Sequence, residues 1–381
     1  MLKNDSNDAI IIINGGVAIM NESYKASKLP LPSGVIDYSY FVEELIDATA
    51  KLEVYKEKIH DSKLGSDWFM PTLQQKEALA SSTLEGTQAT LDGVLTYQTE
   101  EKTDDQNLNE VLNYHRATNL GYKILAREDF SDEFFYEMHT ELMYGNVRKP
   151  NLIGHYREQQ NYIGKNDSAH TITFIPPAPE DVPGLMANLI EYMNHPNDAY
   201  RPLVRTAIIH AQFETIHPFM DGNGRVGRML IPMYLFYKRQ IDLPCFFISE
   251  ALEHDKHKYY TLLTNIRTNN DWNEWIKFFL ETVAKQCDKY IRIISEINKL
   301  YETHLKLAME KTNSPNIVNV VTALYKCPVT TVKQLSEMLN MPTATLNRFL
   351  NILVDNKILY TNGKQRNRTF FYYDLLGIIR N

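Results

Sequence analysis

Cysteine is scarce in this sequence of 381 residues. Cys245, Cys287 and Cys327 are odd in number, widely spaced and form no Cys-x-x-Cys pair, so neither a disulfide framework nor a zinc site is indicated. His210, His254 and His257 lack Asp or Glu partners at ligand spacing, so a histidine zinc site has no support either. Long apolar runs are missing too. The run 9–13 follows Asp5 and Asp8 rather than a basic stretch and breaks at Asn14-Gly15-Gly16. It is too short for a secretion signal or a membrane span. A strand, turn and strand is expected there, with no membrane partner and a cytoplasmic location. There is no internal repeat and no low-complexity segment. Positive charge is outweighed, and a net charge of −7 argues against coating nucleic acid in bulk.

The composition is that of an ordinary globular protein, and the length suits two or three domains. One stretch concentrates chemistry: His217-Pro218-Phe219-Met220-Asp221-Gly222-Asn223-Gly224-Arg225-Val226-Gly227-Arg228. Apolar residues at helical spacing lie on both sides, over 203–213 and 229–237, so the stretch reads as a loop entering the second of two buried helices. The first N–H groups of a helix have no partner within it and carry partial positive charge. Gly222 and Gly224 let anionic oxygens approach the main chain. Arg225 and Arg228 share one face and can clamp further phosphates. Asp221 supplies a hard oxygen ligand of the kind Mg²⁺ prefers, and His217 stands where it can accept a proton.

This stretch resembles the His-Pro-Phe-x-[Asp/Glu]-Gly-Asn-Gly-Arg-x-x-Arg signature of Fic proteins, matched at every fixed position. The resemblance implies an AMP transferase (AMPylase) that moves AMP from ATP to a hydroxyl side chain of a target protein, with Mg²⁺, releasing pyrophosphate. His217 is then the base, Phe219 the anchor of the loop and Asp221 the metal ligand. Gly222, Asn223 and Gly224 line the anion hole, and Arg225 and Arg228 hold the β and γ phosphates. Tyr259 and Tyr260 match a tyrosine pair that lies near the nucleotide in family members; as residues alone they read equally as core aromatics.

Two further stretches fit the same resemblance. Ser81, Glu85 and Gly86 are similar to the family's inhibitory motif, placed N-terminal to the core, in which the glutamate meets the second arginine of the signature, here Arg228. The residues 73–79 before it favour helix, which sets Glu85 near a helix C-terminus. Ile163, Gly164, Thr171 and Ile172 lie in two short strands around a polar turn (165–170), similar to the Fic flap, a hairpin that docks the target by strand addition.

Amphipathic helices are expected over 36–60 (Tyr40, Phe41, Leu45, Ile46 and Leu52 on the apolar side), 104–123, 132–144, 182–194, 256–267 and 272–300. Beyond a turn-rich boundary at 312–315, helices over 317–324, 331–340 and 343–353 precede strands at 358–360 and 369–373. This looks like a winged helix-turn-helix with 362–368 as wing tip. Its basic excess suits a phosphate backbone, and such domains also dock proteins, so DNA stays open as a partner.

The expected fold is mainly α: a helical segment over 1–127 with the inhibitory motif, a Fic-type core with a β-hairpin flap over 128–285, a connecting helix and linker over 286–314, and a winged helix over 315–381. Self-modification and a homodimer stay open. Two alternatives to an autoinhibited AMPylase are removal of AMP and a DNA-binding regulator that uses the core as a nucleotide sensor.

Overall fold

The structure, a computed structural model, describes residues 10–13, 16–19, 22–97, 105–145, 153–164, 172–364 and 368–380, with the backbone alone for 10–13, 16–19 and 172. Ala9, Asn14, Gly15, the flap turn 165–170, Thr171 and the wing-tip residues 365–367 lie outside the described residues. In chain order come β1 (Ile10–Ile13), β2 (Gly16–Ile19), α1 (Val42–His60), α2 (Ser66–Leu84), α3 (Leu91–Tyr97), α4 (Gln106–Leu125) and α5 (Asp132–Leu142). Then follow β3 (Ile163–Gly164), β4 (Ile172–Phe174), α6 (Val182–Asn194), α7 (Pro202–Ile216), α8 (Asn223–Tyr237), α9 (Ser249–His254), α10 (Lys256–Asn269) and α11 (Trp272–Thr312). The C-terminal part holds α12 (Ile317–Lys326), β5 (Val329–Thr331), α13 (Val332–Leu339), α14 (Thr343–Asp355), β6 (Tyr360–Thr361), β7 (Thr369–Phe371) and α15 (Tyr373–Arg380). The fold is mainly α with small sheets, as the hydrophobic periodicity predicts.

The chain divides into two compact units: residues 1–45, 116–240 and 255–280, and residues 46–115, 241–254 and 281–381. Each gathers separated stretches of sequence, and position 285, the end of the expected core, falls inside the unbroken α11.

In the first unit α7 is buried along its length, from Leu203 to Ile216, its polar residues Arg205, His210, Gln212 and Glu214 included. A helix of that kind belongs at the centre of a core. The buried α8 packs on it, and α6 and α10 flank it. Prolines at the start of α6 and α7 sit where a missing N–H costs nothing. Tyr24 N donates to Ile175 O (3.0 Å), tying the N-terminal stretch to the end of β4.

In the second unit α2 packs against α9 and α12. Buried Glu77 accepts from Ser249 N (3.0 Å) and Oγ (2.5 Å), closing the start of α9. The C-terminal elements form an antiparallel sheet in the order β5-β7-β6, with Val329 opposite Phe371 and Tyr360 also opposite Phe371. The strand expected at 358–360 lies at Tyr360–Thr361, because the Ile358 and Leu359 amides close the end of α14 on Leu353 O.

The apolar side expected for the first amphipathic helix needs correction. Phe41, Leu45 and Leu52 are buried, whereas Tyr40 and Ile46 are exposed. The buried series is Phe41, Leu45, Ala48, Leu52, Tyr55 and Ile59, a strict three-and-four spacing from which Tyr40 and Ile46 fall away. The helix itself begins at Val42, after a short 3₁₀ turn capped by Asp37.

Candidate active site

His217 ends α7 in the left-handed region, at φ 51° and ψ 60°, with its N–H on Phe213 O (2.9 Å). A residue with a β-carbon resists that conformation by about 1–2 kcal/mol, so the surroundings must hold it. Buried Arg157 does much of this. Its Nε donates to His217 O (2.9 Å), its Nη2 to Pro177 O (2.5 Å) and Ile216 O (3.4 Å), and its backbone N to Pro218 O (2.8 Å). Burial pulls the Arg157 guanidinium down to about 10, with Glu180 acting in the opposite direction; it stays charged at neutral pH. Asn161 Nδ2 adds bonds to Phe219 O (2.8 Å) and His217 O (3.3 Å).

The middle of the loop is held from within and from α5. Asn223 accepts from Phe219 N (2.8 Å) and donates to Phe219 O (2.7 Å), so its side chain is committed to the loop and only its main chain can line an anion hole. Phe219 is fully buried, and the His139 ring stacks on it face to face, with centroids 3.9 Å apart and an 8° angle. His139 Nδ1 accepts from Gly154 N (3.0 Å), so the ring proton sits on Nε2 and is donated to Asp221 O (3.1 Å). Burial lowers the His139 pKa to about 4, which keeps this imidazole neutral.

Gly222 takes φ 77°, where a β-carbon would also press on Met143 Sδ at 3.1 Å. It precedes α8 without any side-chain cap, so the first N–H groups of that helix face the loop as donors. Asp221 is largely exposed; its Oδ1 accepts from Gly222 N (2.6 Å) and lies 3.9 Å from Arg225 Nη2. Arg225 and Arg228 are both buried on α8. His210 is sealed in the core between Gly227 O and the Tyr259 hydroxyl (2.9 Å each), and burial brings its pKa to about 3. Tyr259 is thus a core aromatic, whereas Tyr260 is exposed.

The flap hairpin pairs Ile163 with Phe174 and Gly164 with Ile172. Arg267 of α10 stacks its guanidinium over Phe174 (4.1 Å) and donates to Glu214 O (3.0 Å), fastening the hairpin's root to the end of α7. Ser81, Glu85 and Gly86 belong to the second unit. Ser81 is buried in the last turn of α2, Glu85 is its C-cap, and Gly86 follows at φ 98°. Arg157, Asn161, His139 and Glu214 were not singled out by sequence reasoning. Arg157 and Asn161 do lie in the stretch 154–164 that leads into the expected flap turn.

Residues 129–235 match the Fic/DOC family and residues 42–123 the Fic/DOC family N-terminal region. Protein adenylyltransferase Fic of Drosophila willistoni is 24% identical over 285 residues, 73% of this chain and 51% of that protein. Probable protein adenylyltransferase aq_aa38 of Aquifex aeolicus is 30% identical over 166 residues, 43% of this chain and 48% of that protein. The chain thus spans about half the length of these curated relatives. The crystal structure of a Fic family protein from Desulfovibrio desulfuricans superposes with a TM-score of 0.56 at 19% identity, over 90% of this chain and 98% of that one. The chain thus carries a Fic/DOC domain over residues 129–235, preceded by a Fic/DOC N-terminal segment over 42–123, in a fold shared with a Fic family protein.

Proposed function

We propose that this protein is an AMPylase that transfers AMP from ATP to a hydroxyl side chain of a target protein and is held back by Glu85. One observation carries the reading: His217 is pinned by Arg157 and Asn161 directly ahead of the uncapped N-terminus of α8. The triphosphate lies on the first amides of α8, with Arg225 and Arg228 on its distal phosphates. The target hydroxyl oxygen attacks the α-phosphorus while His217 takes its proton. The bond to pyrophosphate breaks, and Arg225 and Arg228 stabilise the charge on the leaving group. The exposed Asp221 carboxylate suits Mg²⁺, which binds through one or two carboxylates plus substrate phosphates. The ion would neutralise phosphate charge. The flap strands β3 and β4 offer main-chain groups to the target, and we read residues 315–381 as a winged helix-turn-helix module.

The test is labelled ATP with Mg²⁺ and cell lysate. Glu85→Gly should label protein strongly, the wild type weakly, and Glu85→Gly combined with His217→Ala not at all. No labelled protein with Glu85→Gly, or full labelling without His217, refutes the reading.

A further inference from the structure

Glu214 is a buried carboxylate three residues before His217, on the last turn of α7. Its Oε2 lies 4.0 Å from His217 Nδ1, the ring nitrogen that is itself shut away from solvent. The space for this carboxylate comes from α8. A β-carbon on Gly227 would fall within the Glu214 carboxylate, 3.1 Å from its Cδ and 3.1 Å from the Phe213 ring. Arg267 of α10 lies close enough to Glu214 to feel its charge, and its Nη2 donates to Glu214 O. A nearby guanidinium favours the charged form of a carboxylate. Among the described residues, the charged and titratable groups at this end of α7 include Arg157 on His217 O, Tyr24 and Tyr259 beside Arg267, and, one turn back, His210 with Arg228 as its charged neighbour.

We propose that Glu214 is the positioning residue of His217. It draws the imidazole proton to Nδ1, leaves Nε2 as the basic nitrogen, and stabilises the imidazolium formed when the base takes the target's proton. Gly227 is the residue that makes room for it. A carboxylate set behind a catalytic imidazole acts in this way by fixing the tautomer and favouring the charged ring. The catalytic consequence rests on the AMPylase reading; the pairing of the two side chains does not.

The experiment is nitrogen-detected NMR titration of the histidines in the full-length protein, with the His217 signal assigned by its loss in His217→Ala. Removing a neighbouring negative charge disfavours the imidazolium, so Glu214→Gln should move the His217 midpoint to lower pH by about one unit or more. It should also weaken the preference for the Nδ1–H tautomer. Gly227→Ala keeps Glu214 but displaces it, and should shift the midpoint in the same direction; it carries the test if Glu214→Gln does not fold. In labelled-ATP transfer on the Glu85→Gly background, Glu214→Gln should lower the rate at neutral pH about tenfold or more, a part of what a positioned base supplies. The acid limb of the pH profile should move down with the midpoint. A merely structural glutamate would scale the rate and leave the limb in place. A His217 midpoint and tautomer unchanged in the folded variants overturn the proposal. A shifted midpoint with no labelled protein from any variant supports the pairing and sinks the AMPylase reading instead.

Discussion

Asn223→Ala isolates what holds the loop in shape. In the wild type the Asn223 amide closes on both main-chain groups of Phe219, accepting from N at 2.8 Å and donating to O at 2.7 Å, and the residue is buried. The substitution affects those two groups unequally. Phe219 O keeps a donor in Asn161 Nδ2 (2.8 Å), so the loss there is one net hydrogen bond, about 0.5–1.5 kcal/mol. The Phe219 N–H loses its bond to Asn223 in a buried place, which costs about 1–3 kcal/mol. Together the loop should open more easily by about 1.5–4.5 kcal/mol, roughly a ten- to two-thousandfold rise in the open population. Hydrogen exchange at the Phe219 amide reads this directly and should accelerate by that factor, while amides deep in α7 change far less. Asn223→Asp is the control, since it keeps the acceptor for Phe219 N and should preserve most of the protection. Its added negative charge at the start of α8 should nevertheless weaken ATP binding. Wild-type protection of the Phe219 amide in a folded Asn223→Ala protein would show that the loop's shape is set elsewhere.

Three further expectations follow from the same geometry. His139→Phe can keep the stack on Phe219 but gives up the bonds to Gly154 N and Asp221 O. The transfer rate should drop about ten- to a hundredfold through loop misplacement, and an unchanged rate in steady-state assays would count against His139. Asp221→Ala should remove most of the Mg²⁺ dependence of ATP binding; calorimetry with and without the metal decides, and an intact dependence rules Asp221 out as ligand. Arg228→Ala should remain inactive in labelled-ATP transfer where Glu85→Gly is active, because the phosphate clamp goes with the arginine. Equal activity in the two variants would overturn the roles assigned to both.

Periodicity and the motif placed a good deal of this chain correctly. The expected bounds of the helix 182–194 match α6, and the stretch 217–228 is indeed a loop running into a buried helix, because the apolar residues of α7 and of the later part of α8 recur at helical spacing on either side of it. The staples of that loop were hidden for a physical reason. Arg157 and Asn161 reach main-chain carbonyls 56–60 residues away, and His139 reaches 82. A carbonyl looks the same at every position, so no residue pattern advertises that bond. Tyr259 shows the same limit from the other side: nothing in its spacing tells a nucleotide contact from a hydroxyl spent on His210. The strand β5 is three residues long and pairs with β7 some forty residues later, too short for alternation to register. In the expected helix 36–60, exposed Tyr40, in the 3₁₀ turn before α1, and exposed Ile46, on α1, drew the predicted face off its true line.

The left-handed turn at His217 has a practical corollary for anyone who would move this chemistry to another scaffold. Transplanting residues 217–228 between two helices of a host protein would carry every letter of the motif, including Asn223 and its grip on Phe219. It would leave behind Arg157 and Asn161, whose donors hold the His217 carbonyl, and the His139 ring beneath Phe219. Without them a histidine at φ 51° relaxes toward an ordinary helix end, and its ring swings away from the amides of α8. A working graft therefore needs three non-contiguous pieces, 139, 154–161 and 214–228, held in register by the host's own core.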